Sequence, residues 1–228
     1  MRTPSRRRPL RRLLRFLLLL ALLLACCHVL MPQHVTVQAP VSAPANSTPS
    51  LPWQLTLVNR WNGLPETRSF WLKTIADGEK VDRRIAGTLN DMLNDAEAQG
   101  YEVHLNAGFR TSAEQQALFD DKVAAFCAGG YDDVTASELA GQWVSRPGTS
   151  EHELGLAVDI GTETPALYDW LQDNSWRYGF IQRYPENKTA LTDVAHEPWH
   201  YRYVGEEAAA EMYAQGLCLE EYLAQYNG

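Results

Sequence analysis

A chain of 228 residues with 45% apolar side chains can bury one good core, which fits a single folded domain. No acidic residue precedes position 51, so the remainder sets 28 acids against the 13 Lys and Arg left of 20, a net charge of −15. A domain that acidic lacks the basic footprint of a nucleic-acid binder and repels anionic polymers.

The N-terminus stands apart from the core. Arg2, Arg6, Arg7, Arg8, Arg11, Arg12 and Arg15 precede an apolar run from Phe16 to Leu30, the pattern of a secretion signal or anchor over residues 1–30. At roughly 15 residues the run falls short of the 20 or so that cross a bilayer comfortably. The arginines are expected to stay cytoplasmic, so their cluster is topological and not a binding patch. Leu23-Leu24-Ala25-Cys26 also resembles the lipobox of bacterial lipoproteins, in which the cysteine is lipidated after cleavage. A lipidated Cys26, an uncleaved signal anchor and a secreted product are all open, and each places the domain outside the cytoplasm. Residues 31–50, rich in Pro, Ala, Ser, Val and Gln, read as a linker, which leaves 51–228 as the domain.

Helical spacing of Ile85, Leu89, Met92, Leu93 and Ala96 predicts an amphipathic helix over 81–99, stopped by Gly100. Residues 101–107 then alternate as a half-buried strand. Thr111 and Ser112, each followed three positions later by Glu114 or Gln115, mark a capped helix running towards Phe126. That places Arg110 at a strand-to-helix turn. A further helix is expected over 136–144, broken by Arg146-Pro147-Gly148. Strands are expected over 156–160, 180–184 and 199–204, with helices after Thr164-Pro165, over 206–215 and around 219–224. Because strands and helices do not alternate regularly, the fold class is α+β with a mostly antiparallel central sheet flanked by helices. Cys127 and Cys218 either pair in an oxidising compartment or stay as free thiols.

Two segments carry chemistry. Ser150-Glu151-His152-Glu153-Leu154-Gly155-Leu156-Ala157-Val158-Asp159 places a histidine before a glycine turn and an aspartate in the strand after it. Downstream, Glu197-Pro198-Trp199-His200 adds a carboxylate and a second histidine. Two imidazoles and a carboxylate form a normal ligand set for catalytic zinc, which keeps a fourth position for water. Pro198 excludes a helical pair of the H-E-x-x-H kind, so Glu197 must reach the site from the entry to a strand. In that strand His200 and Arg202 should share one face, and Trp199, Tyr201 and Tyr203 the other.

Ser150-x-His152-x-x-Gly155-x-Ala157-x-Asp159 with Glu197-Pro198-Trp199-His200 resembles the VanY-like zinc D-alanyl-D-alanine carboxypeptidases, a family that includes D-Ala-D-Ala dipeptidases and L,D-carboxypeptidases. Asn106-Ala107-Gly108-Phe109-Arg110, Gln115, Tyr178-Gly179-Phe180, Arg183-Tyr184-Pro185, Arg202-Tyr203-Val204-Gly205 and Leu219-Glu220-Glu221-Tyr222 extend the likeness over most of the domain. Departures fall at Ala107 and Phe109, where the family more often has Ser and Tyr, and at Asp193, where Gly is usual.

The resemblance implies a Hedgehog/D,D-peptidase-like fold, Zn2+ on His152, Asp159 and His200, Glu197 as general base and Arg110 as the group that helps polarise the scissile carbonyl. Ser150, Gln115 and Trp199 match cleft-lining positions. It further implies action on peptidoglycan stem peptides that end in D-Ala, to which the leader adds the expectation of membrane attachment, and a monomer is expected. An L,D-carboxypeptidase acting on tetrapeptide stems shares the same ligands, and a dipeptidase is a more distant variant. From other classes come a non-catalytic cell-wall peptide-binding module and a structural-zinc protein, although the cysteine cluster usual for the latter is missing from the sequence. Arg110, Arg146 and Arg202 are candidates for the substrate's terminal carboxylate, with Arg202 equally readable as an ion-pair partner. His196, which could orient Glu197 or shuttle a proton, and His104 read first as exposed polar residues, and Trp53, Trp61, Trp71 and Trp143, which could serve as sugar-stacking platforms, read first as core or interface packing.

Overall fold

The computed structural model describes residues 51–67 and 71–226. The leader, the linker and Cys26 lie outside the described residues. Among the described residues no helix is long and apolar enough to cross a membrane.

A short antiparallel hairpin comes first, β1 (Leu72–Thr74) against β2 (Lys80–Asp82), turned by Asp77 and Gly78, both at positive φ. Three-residue strands with little burial carry no alternation, which is why the sequence reading misses them. Because β2 claims Val81 and Asp82, helix α1 (Ala86–Ala98) starts later than its apolar spacing suggests. It buries Ala86, Leu89, Met92, Leu93 and Ala96, and each large side chain so buried contributes about 1.5–3 kcal/mol.

β3 (His104–Ala107) leads through Arg110 into α2 (Ser112–Ala128). The capping box is present: the Thr111 side chain accepts from the Glu114 N–H, and the Glu114 carboxylate accepts from the Thr111 N–H. α3 spans Asp133–Ala140, earlier than predicted, because the Asp132 carboxylate caps the N–H groups of Val134 and Thr135. A buried 3-10 turn, Glu151–Leu154, precedes β4 (Ala157–Gly161) and α4 (Ala166–Asn174). The remaining elements are β5 (Phe180–Tyr184), α5 (Thr189–Thr192), β6 (Glu197–Tyr203), α6 (Glu206–Gln215) and α7 (Leu219–Tyr226).

Strands β3 to β6 form one antiparallel sheet in the order β3-β4-β6-β5. Its register separates two faces. Leu105 opposite Ile160, and Val158 opposite Tyr201, look into the main core with α1 and α4. Asp159 opposite His200, and Ala157 opposite Arg202, share the other face. There a second cluster gathers Ile181, Val204, Met212, Leu219 and Leu223 under α6 and α7. One face is therefore covered by the main core, and the other is divided between this second cluster and the residues that can carry chemistry. Cys127 and Cys218 are both free thiols.

Candidate active site

The 3-10 turn and β4 bring the first two predicted ligands together. Gly155 closes the turn at φ 70°, in the left-handed region, and its carbonyl accepts from the Asp82 N–H at 2.9 Å. Glu153 pins the turn to its surroundings, accepting from the Ser112 hydroxyl at 2.6 Å and the Gly148 N–H at 2.8 Å. His152 thereby reaches Asp159, its Nε2 3.3 Å from Oδ1. From β6, His200 Nδ1 lies 3.0 Å from the same Asp159 oxygen.

His152, Asp159 and His200 are the cluster of metal-competent side chains found among the described residues, their ligand atoms all within 4.8 Å of one another. Tetrahedral zinc, with bonds of about 2.0–2.1 Å, sets its ligand atoms roughly 3.3–3.4 Å apart. The observed 3.0 and 3.3 Å separations suit that geometry. The electrostatics agree. Burial disfavours the charged His200 imidazole, yet the carboxylates of Asp159 and Glu151 beside it outweigh that and push the ring up to about 9. Such an excess of carboxylate around two imidazoles is what a divalent cation would neutralise, so the donor set fits a metal.

Glu197 and Trp199 reach the cleft through an irregularity. Between the pairs Gln182 with Tyr201 and Tyr184 with Glu197, β6 carries two more residues than β5. Strict alternation is lost, and Glu197 and His200 turn to the same side, the carboxylate Oε2 3.6 Å from His200 Nδ1. The predicted aromatic face is thus corrected. Tyr201 and Tyr203 pack against the core, while Trp199 lines the cleft. Burial first, then the charges of Asp159 and Glu151, raise the Glu197 carboxyl to about 7 against the opposing pull of His200 and Arg110.

A cleft of about 180 Å³ runs over these groups and is lined by Arg110, Gln115, Ser150, Glu197 and Trp199 as well as the three candidate ligands. Arg110 donates to Asp159 Oδ2 at 2.7 Å and to Gln115 Oε1 at 3.4 Å. Gln115 in turn donates to the Ser145 carbonyl at 2.7 Å. Of the three candidate arginines, only Arg110 faces the cleft. Arg146 pairs with Glu138 and Ser137 away from it, and Arg202 is fully buried against Glu151.

Trp143 also lines the cleft, which packing logic alone did not indicate. Trp53, Trp61 and Trp71 are exposed and not core residues, each with an arginine over its ring: Arg84, Arg60 and Arg83. His104 and His196 are exposed.

The VanY family pattern, described as D-alanyl-D-alanine carboxypeptidase, matches residues 78–206, which takes in every cleft residue named above. The chain belongs to the VanY family. A D-alanyl-D-alanine carboxypeptidase of Enterococcus faecalis is 49% identical to it over 176 residues, covering 75% of this chain and 66% of that protein. The chain also matches a putative carboxypeptidase of Bacillus subtilis at 36% identity and a D-alanyl-D-alanine carboxypeptidase of Enterococcus faecium at 34%, and it spans only 55% and 44% of their lengths. The solved structure of VanYB in complex with D-alanine-D-alanine superposes with a TM-score of 0.74 at 48% identity, covering 76% of this chain and 98% of that one. A VanY point mutant from the VanB-type resistance cassette, in complex with Zn(II), gives 0.73 at 48% identity, covering 75% and 99%. The α+β fold of this VanY chain is therefore the D,D-peptidase fold expected from its motifs.

Proposed function

We propose that this chain is a zinc-dependent D-alanyl-D-alanine carboxypeptidase that removes the C-terminal D-alanine of peptidoglycan stem peptides. The observation that carries the reading is the convergence of His152, Asp159 and His200 on one point of a cleft that also holds Glu197 and Arg110. The VanYB complex with D-alanine-D-alanine and the Zn(II) complex of its relative supply the substrate class and the metal.

Zinc held by this ligand set supplies Lewis acidity, polarising a carbonyl and making water nucleophilic at neutral pH. The chain's own groups do the rest. Glu197, its carboxyl raised towards neutrality, takes the proton of the attacking water and returns it to the leaving D-alanine amine. Arg110, fixed by Asp159 and Gln115, has further N–H donors for charge developing on the scissile carbonyl oxygen. Since Arg146 and Arg202 are engaged elsewhere, the terminal carboxylate must find Arg110 or the neutral donors of Ser150, Gln115 and Trp199.

The basic-then-apolar leader supports an extracytoplasmic domain attached to the membrane by a signal anchor or by lipid on Cys26, on the side where the substrate lies. A membrane-tethered monomer suffices for this chemistry, because every named group comes from one chain.

The test is D-alanine release by the purified full-length chain from matched pentapeptide and tetrapeptide stems, with and without chelator. Chelator-sensitive release from the pentapeptide is expected. Preference for the tetrapeptide would move the chain to the L,D-class, and silence from folded, zinc-loaded protein would sink the assignment.

A further inference from the structure

Beside His200, among the residues around the cleft, lies a buried carboxylate that the proposed reaction does not use. Glu151 is 1% exposed and precedes the ligand His152 in the 3-10 turn. Its Oε1 accepts from Arg183 Nε and from an Arg202 guanidinium nitrogen, each at 2.8 Å. Both guanidiniums are wholly buried. Arg183 is held further by Glu220 at 2.9 and 2.6 Å, and Arg202 by the carbonyls of Gln54 and Thr56 at 2.9 and 2.8 Å. The carboxylate is therefore fixed in place by groups that are themselves fixed.

Its other oxygen is the informative one. Glu151 Oε2 and His200 Nε2 are both buried without a hydrogen-bond partner, and they face each other at 3.5 Å. Buried polar atoms are almost always paired, so two orphans in contact, one able to accept and one able to donate, need a common account. The chemistry of the ring provides it. A histidine that offers Nδ1 to a metal must carry its proton on Nε2, and that N–H needs an acceptor. His152 already follows the rule in mirror image, donating Nδ1–H to the Gly108 carbonyl at 2.7 Å and leaving Nε2 for Asp159's side.

We propose that Glu151 is a positioning residue of the metal centre: clamped by Arg183 and Arg202, it accepts the Nε2–H of His200 and so commits Nδ1 to the metal. This rests on the zinc reading above. A purely structural ion cluster would explain the two arginines and Glu151 Oε1, but not an unpaired Oε2 3.5 Å from the unpaired Nε2 of a candidate ligand.

The experiment compares full-length wild type with Glu151→Gln and Glu151→Asp. Zinc affinity is read by competition with a chromophoric chelator, the histidine tautomers by long-range nitrogen NMR, and folding by thermal unfolding of the metal-free protein. Zinc-loaded wild type should show His200 protonated on Nε2 and His152 on Nδ1. Glu151→Asp keeps its charge against the arginines but withdraws from His200, so it should unfold near the wild-type temperature and lose zinc affinity about 10–100-fold. Glu151→Gln leaves two buried guanidiniums short of charge and is judged only if it folds. His200 protonated on Nδ1 in the wild type, or a folded Glu151→Asp that holds zinc as tightly as wild type, overturns the proposal. Failure of wild type to bind zinc sinks both this inference and the function it rests on, whereas tight wild-type binding with an indifferent Glu151→Asp sinks this one alone.

Discussion

Glu197 and Arg110 can be separated from the metal they serve. Glu197→Gln keeps the shape of the side chain but cannot take a proton, so zinc content should stay at the wild-type level while kcat falls by about 10²–10⁴. Turnover within a few-fold of wild type, with zinc measured on the same sample, would remove Glu197 from its role. Arg110→Met should lower kcat by about 10²–10³ through loss of a donor at the developing oxyanion. If Arg110 also holds the terminal carboxylate, KM rises in the same assay, and an unchanged KM assigns that task to the neutral donors. His152, Asp159 and His200 were legible as a possible ligand set because imidazoles and a carboxylate near a glycine turn can converge on a metal, whereas the roles of Glu197 and Arg110 rested on the resemblance of whole motifs to a known family. Glu151 was not legible. It stands in plain view between Ser150 and His152, but nothing in a sequence says that a glutamate is wholly buried, nor that Arg183 and Arg202 come to it from two other strands.

At the scale of elements, the longer helices were readable from apolar spacing and caps, since those signals are local, although α3 was set three residues late for want of the Asp132 cap and the single turn α5 was missed. The antiparallel central sheet was legible too, but the β1–β2 hairpin and the register of β6, which contact between segments sets, were not. β1 and β2 exist because they pair with each other, and the register of β6 depends on how β5 accommodates its extra residues. Gly108 shows the same dependence at one position. A Cβ there would sit 2.3 Å from the Lys80 carbonyl oxygen, so β2 and the turn before α2 approach as closely as they do only because the residue is glycine. Its carbonyl also receives His152 Nδ1. Gly108→Ala is therefore expected to cost about 1–3 kcal/mol in urea unfolding, by forcing apart packed backbone, and to weaken zinc binding in the same protein. Wild-type stability in that variant would show that the two segments part freely.

For the whole molecule, the chain of buried charges from Glu151 through Arg183 to Glu220 joins the centre of the sheet to α7. Burial raises the Glu220 carboxyl, but the Arg183 charge and hydrogen bonds outweigh it and hold it below its usual range. A carboxyl depressed on folding adds stability above its unfolded value, and that contribution drains away as pH falls through the folded value. Glu220→Gln should cost about 3 kcal/mol at pH 7, and its deficit relative to wild type should shrink when urea unfolding is repeated near pH 3. A deficit that stays constant with pH would mean that the pair contributes shape and not charge. No local pattern in the sequence announced this link, since its members lie 32 and 37 residues apart.

That link also sets an order of assembly. The Glu151–Leu154 turn, β4 and β6, which between them carry the three candidate ligands, leave the ribosome before Glu220 does, and until α7 docks the two arginines around Glu151 have a single counter-charge between them. The centre is thus finished by α7, and a polypeptide halted just short of Glu220 should bind zinc poorly although it possesses every ligand.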